Sequence, residues 1–168
     1  MNDPASPDAM PSALRSKADF HAALHGSLGH ALANRSRRLT WLDPDFAIWP
    51  LDDPALLDTL GQWLKLPQRR LVLIAHRYDG VARQCPRFVA WRRNWSHAVD
   101  AWSPSEGVDV RLPTLVIDDD RLCLQVFDST HWRGRLALGE AAVRQWQDEV
   151  DALLQRCEAA FPVHQLGL

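Results

Sequence analysis

The stretch Leu112–Phe127, LPTLVIDDDRLCLQVF, decides the fold. It reads as two short apolar strands, Thr114–Ile117 and Leu122–Phe127, joined by an acidic turn at Asp118-Asp119-Asp120. Apolar runs of this length bounded by turn residues suit strands rather than helices. The acidic triplet lacks the alternating ligand spacing of a calcium loop, so a hairpin turn with solvated carboxylates is its simplest reading, and no metal is expected.

Working upstream, Leu71–Ala75, LVLIA, is a continuous apolar run of the kind found in strands covered on both faces. Arg38–Leu42, RLTWL, is a shorter strand that ends at Asp43-Pro44-Asp45. Between them, Asp53-Pro54 is a helix start: aspartate accepts from free amides, and proline suits the first turn. Leu56, Leu57, Leu60, Trp63 and Leu64 fall on one helical face before Pro67. Strand, helix, strand predicts a βαβ unit. The polar loop His76-Arg77-Tyr78-Asp79-Gly80 then follows the carboxyl end of its second strand.

A helix is predicted over Asp19–Asn34, with Phe20, Ala23, Leu24, Leu28, Ala31 and Leu32 at helical spacing. Another starts near Pro86, with Phe88, Trp91 and Trp95 as its buried stripe. Ala101-Trp102 reads as a brief strand, Asp128–Gly134 as a loop, and Glu140 to about Ala160 as a last helix whose apolar face includes Val143, Trp146, Val150, Leu153, Leu154 and Cys157. Residues 1–16, with Pro4, Pro7 and Pro11, read as a disordered tail, and 17–168 as a single domain.

At 168 residues, 46% hydrophobic and 24% charged, the chain has the size and composition of one soluble globular domain. A net charge of −2 exerts no global pull on nucleic acid or membrane. Eight tryptophans are many for this length and serve a core first. Cys85, Cys123 and Cys157 are odd in number and form no CxxC pair, which disfavours a zinc knuckle or disulfide framework. With no signal-peptide pattern and no long apolar run, the expectation is a cytoplasmic protein without a membrane span or cofactor.

The element order over Phe20–Ala160, with LPTLVIDDDRLCLQVF late in the chain, resembles one half of a phospholipase D-like fold: α/β, a mixed β-sheet flanked by helices. Together with Cys85–Trp95, CPRFVAWRRNW, it is similar to bacterial phospholipase D-like domains, some fused to acetyltransferases. The resemblance implies a homodimer as one possible state, because two halves of that family face each other across their motif strands, and an acetyltransferase as a possible associate. In the catalytic members the strand pair carries H-x-K-x-x-x-x-D, in which the histidine attacks phosphorus. Counting back from Asp118 puts Arg111 and Pro113 at the histidine and lysine positions; Asp119 gives Leu112 and Thr114, and Asp120 gives Pro113 and Leu115. No register supplies the imidazole nucleophile, so no catalytic residue is assigned and a degenerate site is expected.

Other residues have both a plain and a functional reading. From Arg69 to Trp95 stand seven arginines against one acid, Asp79. Arg77, Arg83, Arg87, Arg92 and Arg93 are the candidate anion-binding set, for a phosphate-containing ligand or nucleic acid, since guanidinium groups match phosphate oxygens. A solvated helix face is the plainer alternative. His76, His131 and Asp118 are a candidate pocket: if they converge, acid–base chemistry in a rebuilt hydrolase site, with Arg77 beside His76, becomes conceivable. Cys85 before Pro86 is a helix-start thiol, read as structural. The His21/His25 pair has metal-like spacing but no acidic third ligand in sequence, so a surface helix explains it.

Overall fold

Local signals set most of the elements. The computed structural model describes residues 12–163. Helix α1, Lys17–Asn34, begins where the Ser16 hydroxyl accepts from the Asp19 amide, and ends where Arg35 turns left-handed at φ 58° and its amide closes on the Ala31 carbonyl. Strand β2, Arg38–Leu42, leads through a turn to α2, Pro54–Leu64, capped by the Asp53 carboxylate on the Ala55 amide. Strand β3, Arg70–Ile74, follows, then α3, Asp79–Gln84, and α4, Pro86–Asn94. Strand β4 is Val99–Pro104, β5 Thr114–Asp118 and β6 Leu122–Asp128.

Four elements differ from the sequence reading. Ala13–Leu14, assigned to the tail, forms strand β1; residues 1–11 of that tail lie outside the described residues. The loop Asp128–Gly134 is shorter than expected, because strand β7 starts at Arg133 and runs to Leu138. Helix α5 is Glu140–Leu154 and stops six residues early; Cys157 belongs to strand β8, Cys157–Ala159, not to the helix face. The polar loop after β3 ends in the short α3, which starts at Asp79.

The eight strands lie in one sheet, β1-β7-β6-β5-β2-β3-β4-β8. Strands β2, β3 and β4 are parallel, as the βαβ pattern implies, and β5 joins β2 antiparallel with Leu42 opposite Leu115 and Leu39 opposite Asp118. Strands β5, β6 and β7 form an antiparallel meander. Gly134 is required where β7 meets β6: a Cβ there would lie 2.4 Å from the Gln125 carbonyl oxygen. The edges are closed by the two-residue β1 against β7 and by β8 against β4.

Both faces are covered, unequally. The larger core gathers α1 and α2 residues such as Phe20, Leu24, Leu60 and Trp63 over Leu39, Trp41, Leu71, Val116 and Leu124. The smaller core packs Val143 and Val150 of α5 on Leu42, Ile74, Leu115, Ile117 and Cys123. Trp41 and Trp63 are fully buried, so part of the tryptophan excess is core, as expected. Each buried ring removes a large apolar area from water. One helix, α5, covers this face, where α1 and α2 share the other.

Candidate functional site

The parallel strands β2 and β3 run toward one end of the sheet, and β5 starts there. Four chain segments meet at that end: Pro44 after β2, His76 after β3, Arg111–Thr114 leading into β5, and Gln125–Phe127 with Ser129 at the end of β6. They line a crevice of about 630 Å³. In open α/β sheets, ligands bind outside the carboxyl ends of parallel strands for this topological reason. Among the described lining residues Arg111 and His76 are the charged or titratable groups, and no carboxylate is present.

The floor is held rigidly. The His76 amide donates to the Pro44 carbonyl at 3.0 Å, fixing the β3 exit against the β2 exit. Behind it, Asp43 is 3% exposed. Its carboxylate accepts from the Phe46 amide at 2.7 Å, the Asp45 amide at 3.1 Å and the Thr114 hydroxyl. A buried carboxylate with three donors is satisfied, and it ties the start of β5 to the turn after β2.

The expected convergence of His76, His131 and Asp118 does not occur. Asp118 sits at the opposite end of β5, four residues and about 13 Å from Thr114 at ordinary strand rise. It is buried, and one carboxylate oxygen accepts from the Asp120, Arg121 and Leu122 amides at 2.9 Å each. The other accepts from the Ser36 hydroxyl at 2.9 Å, with the His30 Nε2 at 3.8 Å. Asp118 therefore holds the β5–β6 turn and the end of α1 together. His131 lies in the β6–β7 turn, exposed, with its Nδ1 2.7 Å from the Asp128 carboxylate. This bond, above other causes, lowers the Asp128 pKa. His131 is not among the residues lining the crevice, although Ser129 is.

The arginine set also divides. Arg92 is 6% exposed and donates to the Phe161 carbonyl, with its guanidinium carbon 4.5 Å from the Phe161 ring centroid. Phe161 in turn stacks on Tyr78 at 5.1 Å between centroids. Arg92 thus clamps the segment after β8 and is not free for a ligand. The reason is distance in sequence: its partner lies 69 residues downstream. The Arg87 amide donates to Asp52 at 2.7 Å, so a carboxylate already occupies the start of α4. Arg77, Arg83, Arg87 and Arg93 have exposed side chains along the loop, α3 and α4, outside the crevice. Burial raises the Cys85 thiol, with Asp52 adding to the effect, which removes the driving force for a thiolate there. The His25 Nε2 lies 3.1 Å from the Asp53 carboxylate that caps α2. Among the described residues no cluster of three or more His, Cys, Asp or Glu side chains has metal-binding geometry, and no helix is long and apolar enough to cross a membrane.

Arg111 is the site residue that sequence reasoning passed over. It had appeared only as an occupant of the motif's histidine position. Its signal was that position, three residues before a strand whose neighbours lead into Pro44 and Ser129.

No family model and no curated protein matches the chain by sequence. Solved structures do match by shape. TrmBL2, an archaeal chromatin protein whose structure is described as showing a novel mode of DNA binding, superposes with a TM-score of 0.58 at 8% identity, over 95% of this chain and 57% of its own. The phosphatidylserine synthase of Haemophilus influenzae Rd KW20 superposes with a TM-score of 0.53 at 14% identity, over 84% of this chain and 37% of its own. The chain spans roughly half or less of each. At these identities the likeness shows the fold, an open mixed sheet flanked by helices of the phospholipase D-like kind.

Proposed function

We propose that this chain is a non-catalytic phospholipase D-like domain that binds a phosphate-bearing anion in the crevice at the start of β5. The observation that carries this reading is the meeting of Arg111 and His76 in a crevice whose described lining holds no carboxylate. A guanidinium with no competing acid is the group best matched to phosphate oxygens. Ser129, Gln125 and backbone groups add hydrogen-bonding partners of either sense.

Loss of hydrolysis follows from the motif register. Asp118 is the buried, turn-capping member of the acidic triplet, which favours the register with Arg111 and Pro113 at the histidine and lysine positions. A guanidinium cannot form the covalent phosphoryl intermediate, because it stays protonated. It can still neutralise the phosphate. The shape likeness to a DNA-binding chromatin protein is in keeping with a phosphate ligand. This reading moves the anion site from the α3–α4 arginines to the crevice, with Arg77 next to His76 as its closest remaining member.

Titration calorimetry with inorganic phosphate and pyrophosphate tests it. Wild type binds, Arg111→Ala loses at least about tenfold in affinity, as expected for a charge-assisted pair, and neither protein hydrolyses bis(p-nitrophenyl) phosphate. Turnover that disappears in His76→Ala would instead support a rebuilt hydrolase. A homodimer through the same face is the reading favoured by the exposed ring of Phe127, and sedimentation velocity reports it directly.

A further inference from the structure

Strand β6 has two sides. Leu122, Leu124 and Val126 enter the larger core, whereas Cys123 enters the smaller one beneath α5. By strand alternation Gln125 lies on the α5 side with Cys123. Its antiparallel partner on β7 is Arg135, and Cys123 pairs with Ala137. Gln125, Arg135 and Ala137, with Ala142, Gln145 and Trp146 of α5, line a second groove of about 230 Å³.

Gln125 lines both this groove and the Arg111 crevice. The two therefore adjoin at β6, and together they form one track that runs beside α5. Arg111 stands at one end and Arg135 at the other, two strand spacings, or about 10 Å, apart laterally and four residues, or about 13 Å, apart along the strands. Between them Phe127 is 59% exposed, the most exposed large apolar side chain among the described residues. Neither lining contains a carboxylate, and among the described residues no acid lies within ion-pair distance of Arg111 or Arg135.

We infer that this track is a docking surface for single-stranded nucleic acid, with Arg111 and Arg135 on separate phosphates of one strand and an unpaired base on the Phe127 ring. The inference rests on the anion-binding reading of the crevice and extends it to a polymer. A small anion needs one end of the track only. A repeating polyanion needs cations spaced along a path with an aromatic face between them, and this is the combination that single-strand binders use. A duplex keeps its bases stacked inside and cannot engage an isolated ring. The groove offers no competing thiol chemistry, since burial pushes the Cys123 thiol up to about 11 despite the nearby Arg135.

Fluorescence anisotropy with a short labelled oligothymidylate and the full chain tests the inference. Wild type binds in a salt-dependent manner. Phe127→Ala weakens binding about tenfold, the usual effect of losing one stacked base. Arg135→Gln weakens it and flattens the plot of log affinity against log salt by about 0.7, the loss of one phosphate contact on a single strand. Arg135→Glu weakens it further. Both Arg135 variants keep wild-type calorimetric affinity for inorganic phosphate, because Arg135 lies outside the crevice that holds it. Equal oligonucleotide affinity in wild type, Phe127→Ala and Arg135→Glu overturns the inference, as does equal binding of a duplex of the same length or equal competition by polyglutamate. A dimer that buries Phe127 without nucleic acid also overturns it. If phosphate binds through Arg111 while oligothymidylate does not bind, this extension fails alone; if neither binds, the crevice reading fails with it.

Discussion

At its start, β5 delivers Arg111 and Thr114 to a crevice without carboxylates; at its end, Asp118, Asp119 and Asp120 face the opposite way. There Asp119 and Asp120 join Glu140, Asp148 and Asp151 of α5 around a cleft of about 520 Å³, against only Arg38 and Arg144. The two ends of one strand therefore differ in sign. They also differ in how their charges are used. Asp118 accepts four hydrogen bonds inside the protein, whereas Arg111 has no ion-pair partner among the described residues. A buried charge that is fully bonded stabilises the fold. An exposed charge without a partner is available for something outside it.

This contrast makes separable predictions. The largest effect belongs to Asp118→Ala, which strips three turn amides and the Ser36 hydroxyl of their acceptor. The expected loss is on the order of 3 kcal/mol, or about 6–12 °C in melting temperature for a chain of this size, with phosphate affinity unchanged in the folded fraction. Loss of phosphate binding in folded Asp118→Ala would mean that the two ends are not independent. Next is Arg92→Ala, expected to cost about 2 kcal/mol through the charged hydrogen bond to Phe161. Amide exchange should quicken over β8 and the residues after it; unchanged exchange would return Arg92 to the free arginines.

Arg111→Ala should leave stability within about 0.5 kcal/mol of wild type by denaturant unfolding, as for an unpaired surface group. A larger loss would show that Arg111 has a structural role. The smallest effect is at Asp128. Its pKa is depressed by the His131 hydrogen bond, so the pair stabilises the β6–β7 turn above the ordinary aspartate range, and this contribution fades as pH falls through the depressed value. Carboxyl-carbon NMR titration of His131→Ala should return Asp128 toward its ordinary pKa; an unmoved value would assign the shift to the turn amides instead.

Much of the frame was legible in sequence because it is local. Leu71–Ala75 and Leu112–Phe127 announce buried strands by composition, and Asp53-Pro54 announces a helix start by chemistry. What escaped detection is set by partners. Arg133–Leu138, RGRLAL, buries only Leu136 and carries two exposed arginines, so no apolar alternation marks β7; its pairing with β6 makes it a strand. Cys157–Ala159 has a helix-like apolar spacing with α5 and is extended because β4 offers an edge. The site was hidden for the same reason. Pro44, His76, Arg111 and Gln125 come from four segments, and only the antiparallel insertion of β5 beside β2 brings them together. The arginine-rich segment drew attention by density, yet Arg92 is committed to Phe161, while the isolated Arg111 has no local pattern to mark it.

A crystal soaked in sodium tungstate, a heavy mimic of phosphate, locates the anion site by anomalous scattering. A peak between Arg111 and His76 is the predicted result. A peak among Arg83, Arg87 and Arg93 on α3 and α4, with the crevice empty, would contradict the account.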